Sequence, residues 1–134
     1  MSKEIVRQKV SARFMAFTGL DADRKGFPNQ PKREKPTDGS YATLEILFML
    51  NKVTSISDRP CTRRTGVISI EVAEQLDAGT KGVTTLTDEL EEWFGLWDSG
   101  NLWTGAANTY YPGEDKSKMR YITLVQIPFT YDQP

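Results

Sequence analysis

Histidine is absent from the 134 residues, which removes the commonest general base, the serine-histidine-carboxylate triad and the usual zinc ligand sets. Cysteine is nearly absent as well. Cys61 stands alone, so an internal disulfide and a cysteine-built metal cage are excluded, and a reducing compartment suits the chain. Charge imbalance is missing too. Seventeen basic residues against 18 acidic ones leave a formal charge of -1, so no global field draws the chain onto DNA or an acidic membrane, and any nucleic-acid contact needs a local patch. Long apolar runs are lacking: no stretch of eighteen apolar residues occurs, and none resembling a signal peptide follows Met1. The expectation is a chain that neither spans a membrane nor carries a recognisable export signal.

What remains fits one domain, 1-134, able to bury roughly two-thirds of its unfolded surface. The apolar fraction of 38% and the mean hydropathy of -0.49 predict a modest core with much polar loop. From about Lys3 to Phe17, the apolar residues Val6, Val10, Phe14 and Phe17 recur at helical spacing, and Gly19 marks a stop. A long loop is predicted at about 19-40, rich in proline and basic residues. Tyr41 to Leu50 alternates as a strand whose near end has a polar outer face and whose far end is apolar on both faces. A second loop is predicted at about 51-64.

Thr65 to Ala73 reads as the second strand. Val83, Leu86, Leu90, Trp93 and Phe94 read as one face of a helix, with Thr80 as its N-cap and Gly95 at the C′ position. Leu102 to Tyr111 and Met119 to Tyr131 supply two further strands around a Pro112 to Lys116 loop. Pro128 cannot donate to a ladder, which predicts an edge or a bulge there. The predicted fold is therefore α+β: a mostly antiparallel four-stranded sheet with two helices packed on one face, in the order α-β-β-α-β-β.

Several clusters invite chemistry. Asp88, Glu91 and Glu92 share a turn and could hold a divalent ion, yet they lie opposite the apolar stripe, where a solvated face is the simpler reading. Glu114, Asp115 and Lys116 faintly match the acidic-plus-lysine set of metal-dependent nucleases, but such carboxylates need a strand and these are predicted on a loop. Gly79-Thr-Lys-Gly82 lacks phosphate-loop spacing. Cys61 sits among Arg59, Arg63 and Arg64, whose field favours a thiolate, but no base or resolving partner is in view. Those arginines read either as solvated groups or as docking groups at a subunit contact. Arg24, Lys25, Lys32, Arg33 and Lys35, interleaved with Pro28, Pro31 and Pro36, form a stiff cationic arm that reads either as a solvated connector or as a docking element. Trp93, Phe94, Trp97 and Trp103 read as core or interface aromatics. No motif calls for a catalytic residue, a metal or a cofactor.

Five blocks carry a resemblance: Phe27-Pro-Asn-Gln-Pro31, Gly39-Ser-Tyr-Ala-Thr-Leu-Glu-Ile46, Arg64-Thr-Gly-Val-Ile-Ser-Ile-Glu-Val72, Gly79-Thr80 with Leu86, Leu90 and Phe94, and Ile122-Thr-Leu-Val-Gln-Ile-Pro-Phe129. In this order they resemble the tail-terminator-like proteins of long-tailed bacteriophages. The resemblance implies a small α+β subunit without enzymatic activity that forms a homo-oligomer, a hexameric ring, at the head-proximal end of the virion tail. It also implies assembly in the host cytoplasm. The implied partners are the major tail-tube protein and a head-side neck or connector protein, with genomic DNA only as passing cargo in the lumen and no membrane. Arg33, Lys35, Arg59, Arg63 and Arg64 are the interface candidates. Neighbouring readings are a head-tail connector or other tail-completion protein, a small nuclease using Glu114 and Asp115, and a DNA-binding module using Arg59, Arg63 and Arg64.

Overall fold

Apolar residues recur with the helical period in two segments and with period two in the rest, and the chain folds accordingly. The computed structural model describes residues 2–27, 40–53, 62–75, 81–115 and 120–133. Helix α1 (Ser2–Ala16) leads through a 3-10 turn to β1 (Lys25–Gly26). Then come β2 (Tyr41–Val53), β3 (Thr62–Gln75), helix α2 (Lys81–Phe94), β4 (Asp98–Ser99), β5 (Leu102–Thr104), β6 (Asn108–Asp115) and β7 (Arg120–Gln133). All strands join one sheet, ordered β1-β2-β3-β7-β5-β4, with β6 also paired to β7.

The α+β class with two helices holds, but the four-stranded, mostly antiparallel sheet does not. Among the described residues the sheet has seven strands and is mixed, because β1 runs parallel to β2, pairing Lys25 with Ala42 and Gly26 with Thr43. Part of the predicted 19-40 loop is thus strand. Its cause is Lys25, whose buried ammonium donates hydrogen bonds to the carbonyls of Met15 and Phe17 at the end of α1, where orphan carbonyls need donors. Burial pushes this ammonium below its usual pKa, with Asp21 partly opposing. The predicted 51-64 loop also shrinks from both sides, since β2 runs on to Val53 and β3 starts at Thr62.

The single strand predicted over Leu102 to Tyr111 is two strands, both lying against β7. The predicted edge position of Pro128 is corrected by the same arrangement. β7 has β3 on one side, while β5 and β6 share the other; Pro128 faces the gap between them, where its carbonyl accepts the Gly105 amide at 2.8 Å. In an extended strand a residue's amide and carbonyl face the same side, so the donor that proline lacks falls where no ladder bond is due.

One face of the sheet carries Leu44, Ile68, Ile70, Val125, Ile127 and Phe129, all buried, and both helices pack there through Val6, Val10, Phe14, Val83, Leu90 and Phe94. The helices are clasped by a reciprocal pair. Arg13 lies 3.9 Å from the Trp93 ring and donates to the Trp93 carbonyl, while the Trp93 indole donates to the Arg13 carbonyl at 2.8 Å. At the far end of α2, Gly95 stands so close to the Glu91 carbonyl that a Cβ would come within 2.5 Å, and the left-handed residue predicted at Gly95 is Leu96, with φ of 52°.

Thr104 closes that end: its hydroxyl donates to the Phe94 carbonyl at 2.5 Å and accepts the Trp97 amide at 2.7 Å. Thr123, by contrast, buries a hydroxyl with no partner among the described residues. Two threonine-to-valine substitutions should therefore move stability in opposite directions. Denaturant unfolding of Thr104→Val should show a loss of about 1–3 kcal/mol, because two buried backbone groups lose their partner, whereas Thr123→Val should gain about 1 kcal/mol.

Candidate assembly interface

The long strands outrun the helices. β2 has 13 residues, and β3 and β7 have 14 each, against 15 and 14 for α1 and α2. At roughly 3.3 Å per strand residue and 1.5 Å per helical residue, strands of about 43–46 Å face helices of about 21–23 Å. An overhang follows at the end of β2 and the start of β3, while on β7 the buried face reaches Tyr131. A bulge marks its base, where the β2–β3 register shifts between Phe48 and Asn51. Met49 and Leu50 fall in that bulge and are 64% and 58% exposed; Val53 beyond it is 66% exposed. Leu47 just before it is 52% exposed.

These apolar residues divide between the two faces: Val53, opposite Thr62, is on the helix side, whereas Leu47, opposite Val67, begins an apolar row on the face away from the helices. Leu47, Val67 and Pro128 are in one row across β2, β3 and β7, and Trp103 pairs with Thr130 in the next row. A polar rim follows: Arg63 lies opposite Asp132 and donates to both its carboxylate oxygens, at 2.7 and 2.9 Å, with its guanidinium 5.4 Å from the Trp103 ring. Further along the same face, Glu45, Ser69, Gln126 and Asn108 make a polar row. An apolar centre with an arginine-bearing rim is the usual composition of a protein contact.

Among the arginines named from sequence, the structure separates Arg63 from Arg64. Neighbours on a strand point to opposite faces, so Arg63 joins Asp132 and Trp103 on the uncovered face, while Arg64 lies 5.9 Å from the Phe48 ring on the helix side. They do not form one patch. Arg33, Lys35 and Arg59 lie outside the described residues, as do Cys61 and the Gly79-Thr80 helix entry. Glu114 and Asp115, expected on a loop, belong to the backbone of β6. Within the trio on α2, Asp88 and Glu92 are exposed, but Glu91 accepts a hydrogen bond from the Thr109 hydroxyl of β6.

The tryptophans divide as well: Trp93 and Trp97 pack near Phe17 and Phe94, and Trp103 stands across the sheet. An open groove beside α1 and α2 is lined by Phe17, Thr18, Gly19, Glu89, Glu92 and Trp93. Among the described residues, no three potential ligands are grouped to hold a metal ion, and no helix is long and apolar enough to cross a membrane. The candidate interface residues that the sequence reading did not single out are Leu47, Met49, Leu50, Val53 and Asp132. Their signal was the far end of β2, where both faces of the strand are apolar.

No protein-family model matches the sequence, and no curated protein matches it. Nine solved chains match the fold. One of them is 17% identical, with a TM-score of 0.66 over 98% of this chain and 95% of that chain. Likeness at this identity establishes the architecture alone.

The Arg63 guanidinium holds the Asp132 carboxyl below the usual aspartate value, first through its hydrogen bonds and then through its charge. Because the folded value lies below the unfolded one, this pair stabilises the overhang above the unfolded aspartate range and stops doing so as pH falls through the folded value. A carbon-detected NMR titration should place the Asp132 midpoint below 3.8, and Arg63→Ala should move it up toward that figure.

Proposed function

We propose that this chain is a bacteriophage tail terminator: a ring subunit that caps the head-proximal end of the tail tube, stops its polymerisation and offers a surface to the head-side neck. The observation that carries this reading is the apolar overhang. Leu47, Met49, Leu50 and Val53 stand in water at the end of a sheet that its own helices cannot cover. Large apolar side chains left exposed together at one end of a sheet, beside a polar rim, mark an association site in a folded protein. The five sequence blocks that resemble tail terminators supply the kind of partner, and the α+β subunit with a one-sided helix layer suits a role in assembly.

The mechanism is geometric. Subunits joined head to tail close into a ring when their rotation closes, and one face of the ring then meets the tube while the other accepts no further tube ring. The tail tube and the neck are the partners, and DNA passes through the lumen. A near-balanced charge of -1 suits a pore that does not hold DNA. The protein functions in the virion tail.

Negative-stain imaging of purified tail tubes incubated with the protein tests this directly. Wild-type protein should appear as rings on one end of each tube, and tubes assembled in its presence should stop growing. The double substitution Met49→Lys/Leu50→Lys, at exposed positions, should change stability by no more than about 0.5 kcal/mol yet abolish capping. Tubes with both ends free in the presence of wild-type protein, or full capping by the double variant, would contradict the proposal.

A further inference from the structure

The overhang is exposed at its surface, and its outer edge is also unpaired. Beyond Thr43, the last β2 residue held by β1, no strand pairs the outer side of β2 among the described residues. That side begins Leu44-Glu-Ile-Leu-Phe-Met-Leu50, seven residues of strand-forming character with a single charge. Folded proteins blunt such edges with charges, prolines or a covering segment. At the opposite side of the sheet, β6 pairs with β7 alone, and its first four residues, Asn108-Thr-Tyr-Tyr111, carry no charge before Pro112. Each segment ends at a break, the β2 bulge after Phe48 and the β6 register shift after Tyr110.

Strand direction decides how these edges can meet. β2, β3, β7 and β6 are successive antiparallel neighbours, so β6 runs opposite to β2. Setting β6 of one copy beside β2 of the next continues the alternation without interruption. Faces agree too. Leu47 and Asn108 are both on the uncovered face, and so are Glu45 and Tyr110. Pairing Leu47 with Asn108, and hence Glu45 with Tyr110, staggers the two copies by two residues from flush rows, and an even stagger keeps every side chain on its own face. Closed sheets require a stagger of this kind.

We infer that the subunits join edge to edge, with the Leu44 to Leu47 edge of β2 adding to the Asn108 to Tyr111 edge of β6 in a second copy of this chain. The inference rests on the ring reading above and specifies its contact. Such a junction is heterologous, using two different surfaces on each copy, and therefore repeats around a ring. It also covers the unprotected β2 edge and sets Tyr110, which is 52% exposed in the single chain, beside the neighbour's β2.

Cysteine cross-linking separates the possibilities. In a Cys61→Ser background, Leu47→Cys and Asn108→Cys are prepared singly and together and treated with a short bismaleimide on tail tubes. The mixture of single variants should give a heterodimer that neither gives alone, and the double variant should give a ladder ending at the size of the closed ring. Dimers of Leu47→Cys with itself would mean two-fold pairing and overturn the inference. Rings that form with no cross-link between these positions would overturn it and leave the terminator reading standing. Absence of rings as well as cross-links on tubes would remove both.

Discussion

A mismatch of lengths governs this molecule. Three strands of 13 or 14 residues rise about twice as far as helices of similar residue count, because a strand residue advances roughly 3.3 Å and a helical one 1.5 Å. Helices of 15 and 14 residues cover the helix side of β7 as far as Tyr131 but leave the far end of β2 exposed. Everything beyond Phe48 on β2 is therefore sheet without a cover, and the sequence there is not polar. Met49, Leu50 and Val53 stay exposed because the fold has nothing to set against them.

The covered half is held by a few side chains that serve backbone groups. Lys25 supplies donors to the last carbonyls of α1, Thr104 serves the end of α2, and the Arg13–Trp93 clasp ties the helices to each other. Each of these contacts satisfies a carbonyl at or near a helix end, where the α-helical ladder leaves acceptors over. Together they fix the helix layer over Leu44, Ile68, Ile70, Val125 and Ile127. With the helix layer fixed there, the overhang has no means of folding back to hide its apolar residues.

Periodicity made much of this legible. Val6, Val10 and Phe14 marked α1 and Val83, Leu86 and Leu90 marked α2, both nearly to their ends, and the alternation in β2, β3 and β7 announced the long strands, which run a few residues past the predicted bounds. Strands held by tertiary contacts carried no such mark. β1 exists because Lys25 is pulled beneath α1, and β4 and β5 are too short to show a period. Proline 128 suggested an edge, and only the division of the neighbouring strand into β5 and β6 explains how β7 keeps it inside the sheet. Arg63 and Arg64 drew attention as a pair, but strand alternation sends them to opposite faces. The apolar far end of β2 was the better signal.

The proposed function rests on what the isolated chain leaves uncovered among the described residues: exposed apolar side chains beside an open strand edge, available to other subunits and to the tube they are proposed to cap. Amide hydrogen exchange over Leu44 to Leu50 tests that claim most directly, measured on the free protein and again on protein bound to tail tubes. The account predicts rapid exchange on the outer side of β2 in the free chain and strong protection on the tube; protection already complete in the free chain, or exchange unchanged by the tube, would contradict it.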